Sequence, residues 1–252
     1  MRGSELLSPA VVEEFGEAEV RLVMEPQPTG AIRRTFDILG AIVLMILLAP
    51  AFAIIALAVK WTSAGPVIYR QTRVGINRRT GRERRALARE SAGFDRRLVE
   101  RRAVSSAGRL YHILKFRTMI DGAEAKHGPV WASKDDDRIT AVGRLLRRTR
   151  LDELPQILNV LRGDMSFIGP RPERPFFVDR FCTSIPGYKG RLTVVPGITG
   201  LAQVEHTYDT SHEDVCRKLE YDLRYLRERN VGVDLQILWK TVRVVLSGHG
   251  AH

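Results

Sequence analysis

The chain contains 252 residues, of which 44% are hydrophobic, and its formal net charge is +11. This length has room for one domain with an appended segment, and this hydrophobic content excludes a globally disordered chain. The positive charge predicts an anionic partner: nucleic acid, anionic lipid or a phosphorylated substrate. The two cysteines, Cys182 and Cys216, form no CxxC motif. A disulfide framework and a cysteine zinc site are therefore excluded, and a reducing, cytosolic environment is expected.

The amino-terminal part divides into a polar arm and an apolar segment. Residues 1–32 contain three prolines and scattered glutamates, and we expect this arm to be largely disordered. From Ile38 to Val59, 22 consecutive residues carry no charged or polar side chain. That is long enough for a helix that enters a membrane and too long for an ordinary core helix. We therefore predict a membrane-inserted segment over residues 33–61.

Pro50 lies near the middle of the apolar segment and predicts a break in its helix, because proline removes one backbone hydrogen bond and clashes with the preceding turn. A simple membrane span prefers basic residues on one side only. Here they flank both sides, as Arg33, Arg34, Lys60, Arg70 and Arg73. A helical hairpin that enters and leaves the cytoplasmic leaflet satisfies both flanks and places both termini in the cytoplasm. It is slightly favoured over a single span kinked at the proline.

The excess positive charge is concentrated in residues 76–110. Between Ile76 and Leu110 there are eleven arginines and four acidic residues, with few large apolar side chains. This composition predicts a mobile surface loop or insertion. Attraction to anionic lipid headgroups suits it better than nucleic-acid binding, because Phe94 is the one aromatic residue available to stack on bases. A solvated linker without a partner stays open.

Two strands are predicted next, at Val67–Gln71 and Ile113–Met119. In the second, period-2 alternation places Lys115 and Arg117 on one face. Two cations that project from the same face of a strand are suited to binding a diphosphate. Basic side chains on the wet face of a half-buried strand are also ordinary, so both interpretations stay open.

An acidic triplet, Asp135–Asp137, precedes a short amphipathic helix. Its apolar side is formed by Val142, Leu145 and Leu146, and its other side by Arg144, Arg147 and Arg148. The triplet suggests the Asp-x-Asp metal site of nucleotide-sugar glycosyltransferases. No series of alternating strands and helices precedes it, so this interpretation is disfavoured. We expect Asp137 to be a helix cap or an arginine partner.

Asp152 and Glu153 form the most informative motif of the chain. The apolar residues that follow are spaced as one face of a helix, at Leu154, Ile157, Leu158 and Leu161. Pro155 is tolerated only in a first helical turn, so both carboxylates belong at the amino end. That end carries positive dipole charge and unpaired N–H groups. The motif predicts a nucleophile or metal ligand beside an anion site, although a plain helix cap explains the dipeptide equally simply.

The remaining chain contains two predicted loops and two predicted helices. The loops are Gly163–Pro172, which holds Arg171 rigidly between two prolines, and Val195–Gln203. Arg171 is suited to contacting a phosphate or nucleotide, or to pairing with a nearby carboxylate. In the first helix Ser211 is the expected cap, and the apolar stripe comprises Val215, Leu219, Leu223 and Leu226. The second, Asp234–Leu246, is broadly apolar and suits either the interior or the membrane surface.

Taken together, these segments resemble the bacterial sugar transferases of the small monotopic phosphoglycosyl transferase family. The matching stretches run in the family's order: Pro66–Gly75, Lys115–Met119, Asp137–Thr140 with Val142–Arg144, Leu151–Gln156, Asn159–Pro172 and Pro196–Gln203. The chain departs in having Ala49 before Pro50, where the family often has serine, and in its long Arg-rich stretch. Extra amino-terminal membrane helices of larger relatives are absent, so we expect the catalytic unit alone.

The resemblance implies a mostly helical α+β fold: a re-entrant membrane hairpin, then a compact cytoplasmic catalytic domain over residues 62–252 with few short strands, interfacial amphipathic helices and the Arg-rich insertion. It implies transfer of a sugar-1-phosphate from a UDP-sugar to polyprenol (undecaprenyl) phosphate, giving polyprenol-diphosphate sugar and UMP and initiating polysaccharide or glycoconjugate assembly. The expected location is the cytoplasmic side of the bacterial inner membrane. The expected partners are both substrates and membrane lipid, not nucleic acid; a homo-oligomer stays open.

The resemblance also implies roles for individual residues. Asp152 would be the nucleophile that forms an acyl-phosphate with the sugar phosphate, and Glu153 would hold Mg²⁺. The substrate's phosphate or uridine would lie near four basic residues, Lys115, Arg117, Arg147 and Arg171. Pro50 would be the break in the membrane helix.

Two other functions are compatible with parts of the sequence. A membrane-tethered basic binding protein without catalytic activity explains the charge and the apolar segment, but not Asp152, Glu153 or the two Pro-Gly loops. A metal-dependent phosphodiesterase at the membrane would require additional Asp or His ligands that the sequence does not offer.

Overall fold

The computed structural model describes residues 30–76, 108–123, 136–206 and 212–247. Most of the amino-terminal arm and of the Arg-rich segment 76–110 lies outside these residues, so the expectations for both stay predictions. The helices are α1 (Ala31–Thr62), α2 (Ala141–Thr149), α3 (Ile157–Arg162), α4 (Pro175–Ser184), α5 (Leu201–Glu205), α6 (His212–Glu228) and α7 (Val231–Ser247). The strands among the described residues are β1 (Ile68–Val74), β2 (Leu110–Phe116), β3 (Ser166–Ile168) and β4 (Gly197–Thr199). The prediction of a mostly helical α+β fold with few short strands is confirmed.

Helix α1 contains the predicted membrane segment and extends it slightly at both ends. Within the described part of the chain, it is the one helix long and apolar enough to cross a membrane. Only 11% of its most apolar window is buried against protein, so it is not a core helix. The helix is continuous through Pro50, which lacks the N–H that would bond the Ile46 carbonyl. The predicted break at Pro50 is therefore not seen, because one helix runs from Ala31 to Thr62. Whether this helix enters and leaves the membrane on the same side stays a prediction.

Helix α1 packs against the rest of the protein near both of its ends. Near its start, Ala41 is fully buried in the same cluster as Val160 of α3. Near its end, Val59 is buried in a second cluster with Phe116 of β2. The rings of Phe52 and Phe116 lie 5.6 Å apart between centroids, which ties the helix to the strand.

Strands β1 and β2 form an antiparallel pair in which Ile68 lies opposite Phe116. The Gly75 amide donates to the Arg109 carbonyl (2.8 Å), which prolongs the pairing past the ends of both strands. The Arg-rich segment thus connects the end of β1 to the start of β2. The second predicted strand extended to Met119, but β2 ends earlier, because Met119 instead forms an isolated bridge with Ile139.

The two segments predicted as loops contain short strands, which corrects that prediction. Strands β3 and β4 pair in parallel, with Ser166 opposite Gly197. Their backbones approach so closely that a Cβ at Gly197 would come within 2.1 Å of the Gly169 amide nitrogen. Glycine is required at such a contact because any side chain would push the loops apart. The pairing places the Pro-Arg-Pro segment against the second Pro-Gly loop.

The carboxy-terminal helices complete the core. All four residues of the predicted stripe in α6 are buried, while the proposed cap Ser211 lies outside the described residues. They pack with aromatic residues of α4 and the following turn, Phe177, Phe181 and Tyr188. Helix α7 begins before the predicted Asp234 and buries Ile237. It exposes an apolar face formed by Leu235, Leu238, Trp239, Val242 and Val245.

Candidate active site

The segment that carries Asp152 and Glu153 is a 3-10 turn, Leu151–Gln156, which continues directly into α3. Helix α2 ends before it because Arg150 adopts a left-handed conformation with φ of 56°. Pro155 lies within the turn, so the expectation that both carboxylates open a helical segment is confirmed. The segment starts as a 3-10 turn rather than an α-helix.

Glu153 is neutralised by two cations that arrive from distant parts of the chain. Its Oε1 accepts from Lys115 Nζ of β2 (2.8 Å) and from Arg171 Nη2 (2.6 Å), while Oε2 accepts from Arg171 Nη1 (3.3 Å). Burial alone would raise the pKa of Glu153, but the charges of Arg171 and Lys115 hold that pKa well below its usual range. Three of the residues singled out in the sequence therefore meet at one point.

Asp152 is buried beside this cluster, with 7% of its surface exposed. Within the described part of the chain, its carboxylate accepts no hydrogen bond, in contrast to that of Glu153. Burial raises the pKa of Asp152; the charge of Lys115 opposes this shift and that of Glu153 adds to it. One carboxylate of the pair is thus held by cations and the other remains available for chemistry.

Arg147 of α2 is the third cation associated with Asp152. Its positive charge acts to lower the pKa of the Asp152 carboxyl, as does that of Arg171. The Nη1 atom of Arg147 is buried and has no hydrogen-bond partner among the described residues. A buried guanidinium nitrogen without a partner is a donor that a phosphate oxygen can satisfy.

Arg117 was predicted to lie beside Lys115 at the phosphate, but in the structure its side chain binds another part of the chain. Its guanidinium donates to the carbonyls of Ser63 and Ala64 (both 2.7 Å), at the carboxy end of α1. It also donates to the Ser63 hydroxyl (2.8 Å). The structure thus makes Arg117 an anchor for the end of α1 and does not bring it to Glu153. Its proposed contact with substrate stays a prediction.

The acidic triplet makes no metal site in the part of the chain that the structure describes. Asp136 pairs with Arg138 (2.5 Å), and Thr140 caps α2 by accepting from the Gly143 amide (2.9 Å). Asp137 was expected to cap the helix or to pair with an arginine, and this was wrong. Asp137 is exposed, while Thr140 is the cap and Asp136 is the arginine partner. Thr140 is the cap because its hydroxyl lies three residues before the Gly143 amide, which is the spacing at which a cap side chain accepts from a helix amide.

Arg171 is held by a buried arginine that the sequence analysis did not single out. Arg191 Nη2 donates to the Arg171 carbonyl (2.8 Å) and pairs with Asp222 of α6 (2.8 Å). Arg191 Nη1 donates to the Tyr188 hydroxyl (2.8 Å). Both charged side chains of this pair are almost fully buried, at 3% and 2% exposure. No local pattern marks such residues, because their partners are far away in the sequence.

A second ion-pair group lies directly after Arg171. Glu173 accepts from Lys218 Nζ of α6 (2.8 Å) and from Arg73 Nη1 of β1 (3.5 Å). Burial would raise the pKa of Glu173, but Lys218, Arg191 and Arg73 lower it to about 2. Arg73 Nη1 also donates to the Pro172 carbonyl (2.9 Å). The Pro-Arg-Pro segment is therefore fixed on both sides by charged side chains of the core.

The candidate site offers two carboxylates to a metal ion rather than a complete cage. Among the described residues there is no cluster of three or more His, Cys, Asp or Glu side chains that could hold one. Mg²⁺ is commonly bound by one or two carboxylates, with phosphate oxygens and water completing its octahedron. Asp152 and Glu153 fit that kind of site, provided a phosphate takes over part of the contact that Lys115 and Arg171 make with Glu153.

The sequence of this chain matches those of known proteins. The profile of the bacterial sugar transferase family matches residues 29–82 and 86–248. A UDP-N-acetylgalactosamine-undecaprenyl-phosphate N-acetylgalactosaminephosphotransferase from Aeromonas hydrophila is 39% identical over 227 residues, which cover 90% of this chain and 46% of the relative. A UDP-glucose:undecaprenyl-phosphate glucose-1-phosphate transferase from Caulobacter vibrioides is 35% identical, covering 90% of this chain and 75% of the relative.

A shorter relative matches almost end to end. The exopolysaccharide production protein ExoY of Sinorhizobium fredii is 31% identical over 248 residues, covering 90% of this chain and 94% of the relative. Against several others, including the Aeromonas protein, the chain spans less than half of the relative's length. The shared region contains Asp152, Glu153, Lys115 and Arg171.

Proposed function

This chain belongs to the bacterial sugar transferase family, and we propose that it transfers a sugar-1-phosphate from a UDP-sugar to polyprenol phosphate, with undecaprenyl phosphate as the expected acceptor. The products are a polyprenol-diphosphate sugar and UMP, and the reaction initiates polysaccharide or glycoconjugate assembly. The names of the relatives, which specify undecaprenyl phosphate and UDP-linked sugars, support this choice of acceptor and donor.

The observation that carries the proposal is the difference between the two neighbouring carboxylates. Glu153 accepts hydrogen bonds from Lys115 and Arg171, whereas Asp152 accepts none from the described residues. A carboxylate without partners beside two cations is suited to attack a phosphorus atom whose oxygens those cations bind. A plain helix cap would instead use its oxygen on a backbone amide.

In the first step, an Asp152 carboxylate oxygen attacks the phosphorus that bears the sugar. The bond from this phosphorus to the bridging oxygen of the diphosphate breaks, and UMP leaves with that oxygen and its electron pair. The sugar phosphate is then joined to Asp152 as an acyl-phosphate. Lys115, Arg171 and Arg147 stabilise the negative charge that develops on the phosphoryl oxygens.

In the second step, an oxygen of the polyprenol phosphate attacks the same phosphorus. The bond to Asp152 breaks, the carboxylate is regenerated, and the polyprenol-diphosphate sugar leaves. The two steps use the same cations, because negative charge develops on the same phosphoryl group in both. Arg191, which donates to the Arg171 carbonyl, and Arg73, which donates to the Pro172 carbonyl, hold this segment in place and so reduce the reorganisation needed at the moment of reaction.

We further propose that Glu153 would hold Mg²⁺ once a diphosphate is bound. The ion would neutralise charge on the diphosphate and so favour departure of UMP. The substrate's oxygens offer Lys115 and Arg171 new acceptors, which frees Glu153 for the metal.

We propose that α1 is re-entrant, which means that it enters and leaves the membrane on the same side. Both ends of α1 contact the same domain, through Ala41 and Val160 at the start and Val59 and Phe116 at the end. A span across the ~30 Å hydrocarbon layer would place its ends on opposite sides, where one water-facing domain cannot reach both. We therefore place α1 and the domain at the cytoplasmic surface of the inner membrane, where the phosphate of a polyprenol carrier lies at headgroup level.

The decisive experiment is UMP release in nanodiscs that contain polyprenol phosphate and Mg²⁺. The donors are UDP-N-acetylgalactosamine, UDP-glucose and UDP-galactose, tested with wild type, Asp152→Asn and the exposed control Asp137→Asn. We expect one donor to react with wild type and control, and the Asp152 variant to lose roughly 10³-fold or more. Without acceptor, the intact mass of the wild type should increase by one sugar phosphate.

Three outcomes would contradict parts of this proposal. Turnover that persists in Asp152→Asn would remove Asp152 as the nucleophile and leave it a helix residue. Turnover without any mass increase, even when the reaction is quenched early, would argue against the covalent intermediate. No release with any donor would contradict the reaction class and favour the membrane-tethered basic binding protein.

A further inference from the structure

Two adjacent arginines at the start of α1 make different contacts. Arg33 pairs with Asp234 of α7 (2.6 Å) and lies over the Tyr225 ring. Arg34 donates from Nη1 to the Val160 carbonyl (2.5 Å) and from Nη2 to the Leu161 carbonyl (2.7 Å). The last carbonyls of a helix lack partners from a following turn, and Arg34 donates to two of them at the end of α3; the Val160 carbonyl also accepts from the Gly163 amide (3.0 Å).

Asp37 lies one helical turn after Arg34 and is 5% exposed. Its Oδ1 accepts from the Ser166 hydroxyl (3.0 Å) and from the Phe167 amide (3.1 Å), both in β3. A carboxylate in a helix with lipid-facing apolar sides is costly to bury unless it is hydrogen-bonded. The contact therefore constrains where β3 lies relative to α1.

These contacts join the two segments that build the candidate site. Helix α3 continues directly from the turn that carries Asp152 and Glu153, and Arg34 binds its far end. Strand β3 leads into the loop that carries Arg171, and Asp37 binds its start. Glu153 and Arg171 then meet each other at 2.6 Å. One turn of α1, from Arg34 to Asp37, thus binds both α3 and β3, the elements that are continuous with Glu153 and Arg171.

We infer that Arg34 and Asp37 are positioning residues that set the distance between the Asp152–Glu153 turn and Arg171 by fixing both to the membrane helix. This inference rests on the proposed function for its activity readout. Displacing reacting groups by about 1 Å can lower a rate ~10²-fold even when the altered residue lies away from the chemistry. Donor binding should change less, because Lys115 of β2 is bonded neither to Arg34 nor to Asp37 and keeps its place at the phosphate.

The test compares Arg34→Met with Arg33→Met in nanodiscs of fixed anionic lipid content. Both variants lose one positive charge at the same membrane depth, so any general effect on membrane attraction is equal. We expect Arg34→Met to lower kcat by 10- to 100-fold with KM for the UDP-sugar changed less than threefold. Arg33→Met should keep kcat within about threefold. Equal losses in both variants, or a loss confined to KM, would overturn the inference.

Asp37 provides a second pair of variants. Asp37→Asn keeps an oxygen that can accept from Ser166 and Phe167, so it should retain most of the wild-type kcat. Asp37→Ala removes the acceptor and should lose activity as Arg34→Met does. If both substitutions lowered kcat equally, the hydrogen bonds would not be the cause. Arg34→Lys, which keeps the charge but not the two-pronged donor, replaces Arg34→Met if that variant does not fold.

Backbone hydrogen exchange separates this inference from the proposed reaction. Arg34→Met should speed exchange in residues 153–162 and 166–172, and Arg33→Met should not. Exchange that is unchanged by Arg34→Met would overturn the inference whatever the enzyme's activity. An absence of UMP release by the wild type would count against the proposed function alone, and exchange would then decide the coupling.

Discussion

Asp152 and Glu153 are neighbours in the chain, yet the pKa values of their carboxyl groups move in opposite directions. Burial raises the pKa of Asp152, whereas Arg171 and Lys115 overcome burial and lower that of Glu153. The same two cations therefore hold one carboxylate firmly and leave the other without a hydrogen bond among the described residues.

Asp152→Asn should make the protein more stable while abolishing turnover. The pKa of Asp152 is raised in the folded protein, so the protein loses stability as the pH rises from the unfolded pKa of this group towards its folded pKa. The negative charge of Asp152 is therefore destabilising. Removing that charge should raise the free energy of unfolding by about 1 kcal/mol, as expected where function and stability conflict. Thermal unfolding in detergent at pH 7 measures this, with Asp137→Asn as control. A lower melting temperature than wild type would contradict it.

Lys115→Met should move the acidic limb of the pH–activity profile to higher pH. The charge of Lys115 lowers the pKa of Asp152, so its removal raises that pKa and protonates the nucleophile at a higher pH. Loss of a phosphate-stabilising cation should also lower kcat by roughly 10²-fold. The profile of kcat/KM for UMP release tests both effects. Arg70→Met, which removes an exposed cation from the paired strand, should leave the limb in place.

Glu173→Gln should destabilise the protein by about 3 kcal/mol, because it leaves Lys218 and Arg73 without their buried carboxylate. The folded pKa of Glu173 is lowered to about 2. Its contribution is therefore complete above the unfolded pKa of about 4.3 and is lost as the pH falls towards 2. Urea unfolding between pH 3 and 7 should show a constant difference between the variant and wild type above the unfolded pKa and a smaller difference at pH 3. Glu205→Gln, whose partner Lys240 is exposed, should change stability little.

The exposed apolar face of α7 should contact lipid. Trp239 lies on this face with 66% of its surface exposed, and such surface rarely stays in water. A protein that retains only Trp239, through Trp61→Phe and Trp131→Phe, should be strongly quenched by brominated lipids in nanodiscs. The control adds Arg217→Trp on the exposed side of α6 and replaces Trp239 by phenylalanine. Equal quenching of the two proteins would show that α7 does not lie on the membrane surface.

The re-entrant arrangement predicts that both flanks of α1 are cytoplasmic. Cysteines introduced at Val20 and Glu100, after replacing Cys182 and Cys216 by alanine, should react with an impermeant reagent only when the cytoplasmic side is accessible. Cells and inverted membrane vesicles provide the two orientations. Labelling of positions 20 and 100 from opposite sides would establish a true span instead.

The local features of the fold could be predicted because each depends on a few neighbouring residues. The buried stripe of α6, the placement of Asp152 and Glu153 at the start of a helical segment, and the apolar segment within α1 all follow from periodicity or composition. Errors arose where a nearby competitor decided the outcome. Thr140 rather than Asp137 caps α2, and β2 ends early because Met119 pairs with Ile139.

The sequence by itself determined which residues carry charge, which segments are apolar and where helices begin, since these depend on side-chain chemistry and spacing. Only the tertiary structure decided how the charges are paired. Lys115 meets Glu153 while its neighbour Arg117 anchors the end of α1, although alternation placed both on one face. Likewise Arg34 binds α3 while Arg33 binds α7. An ion pair depends on where distant backbones lie, and long-range packing determines that position.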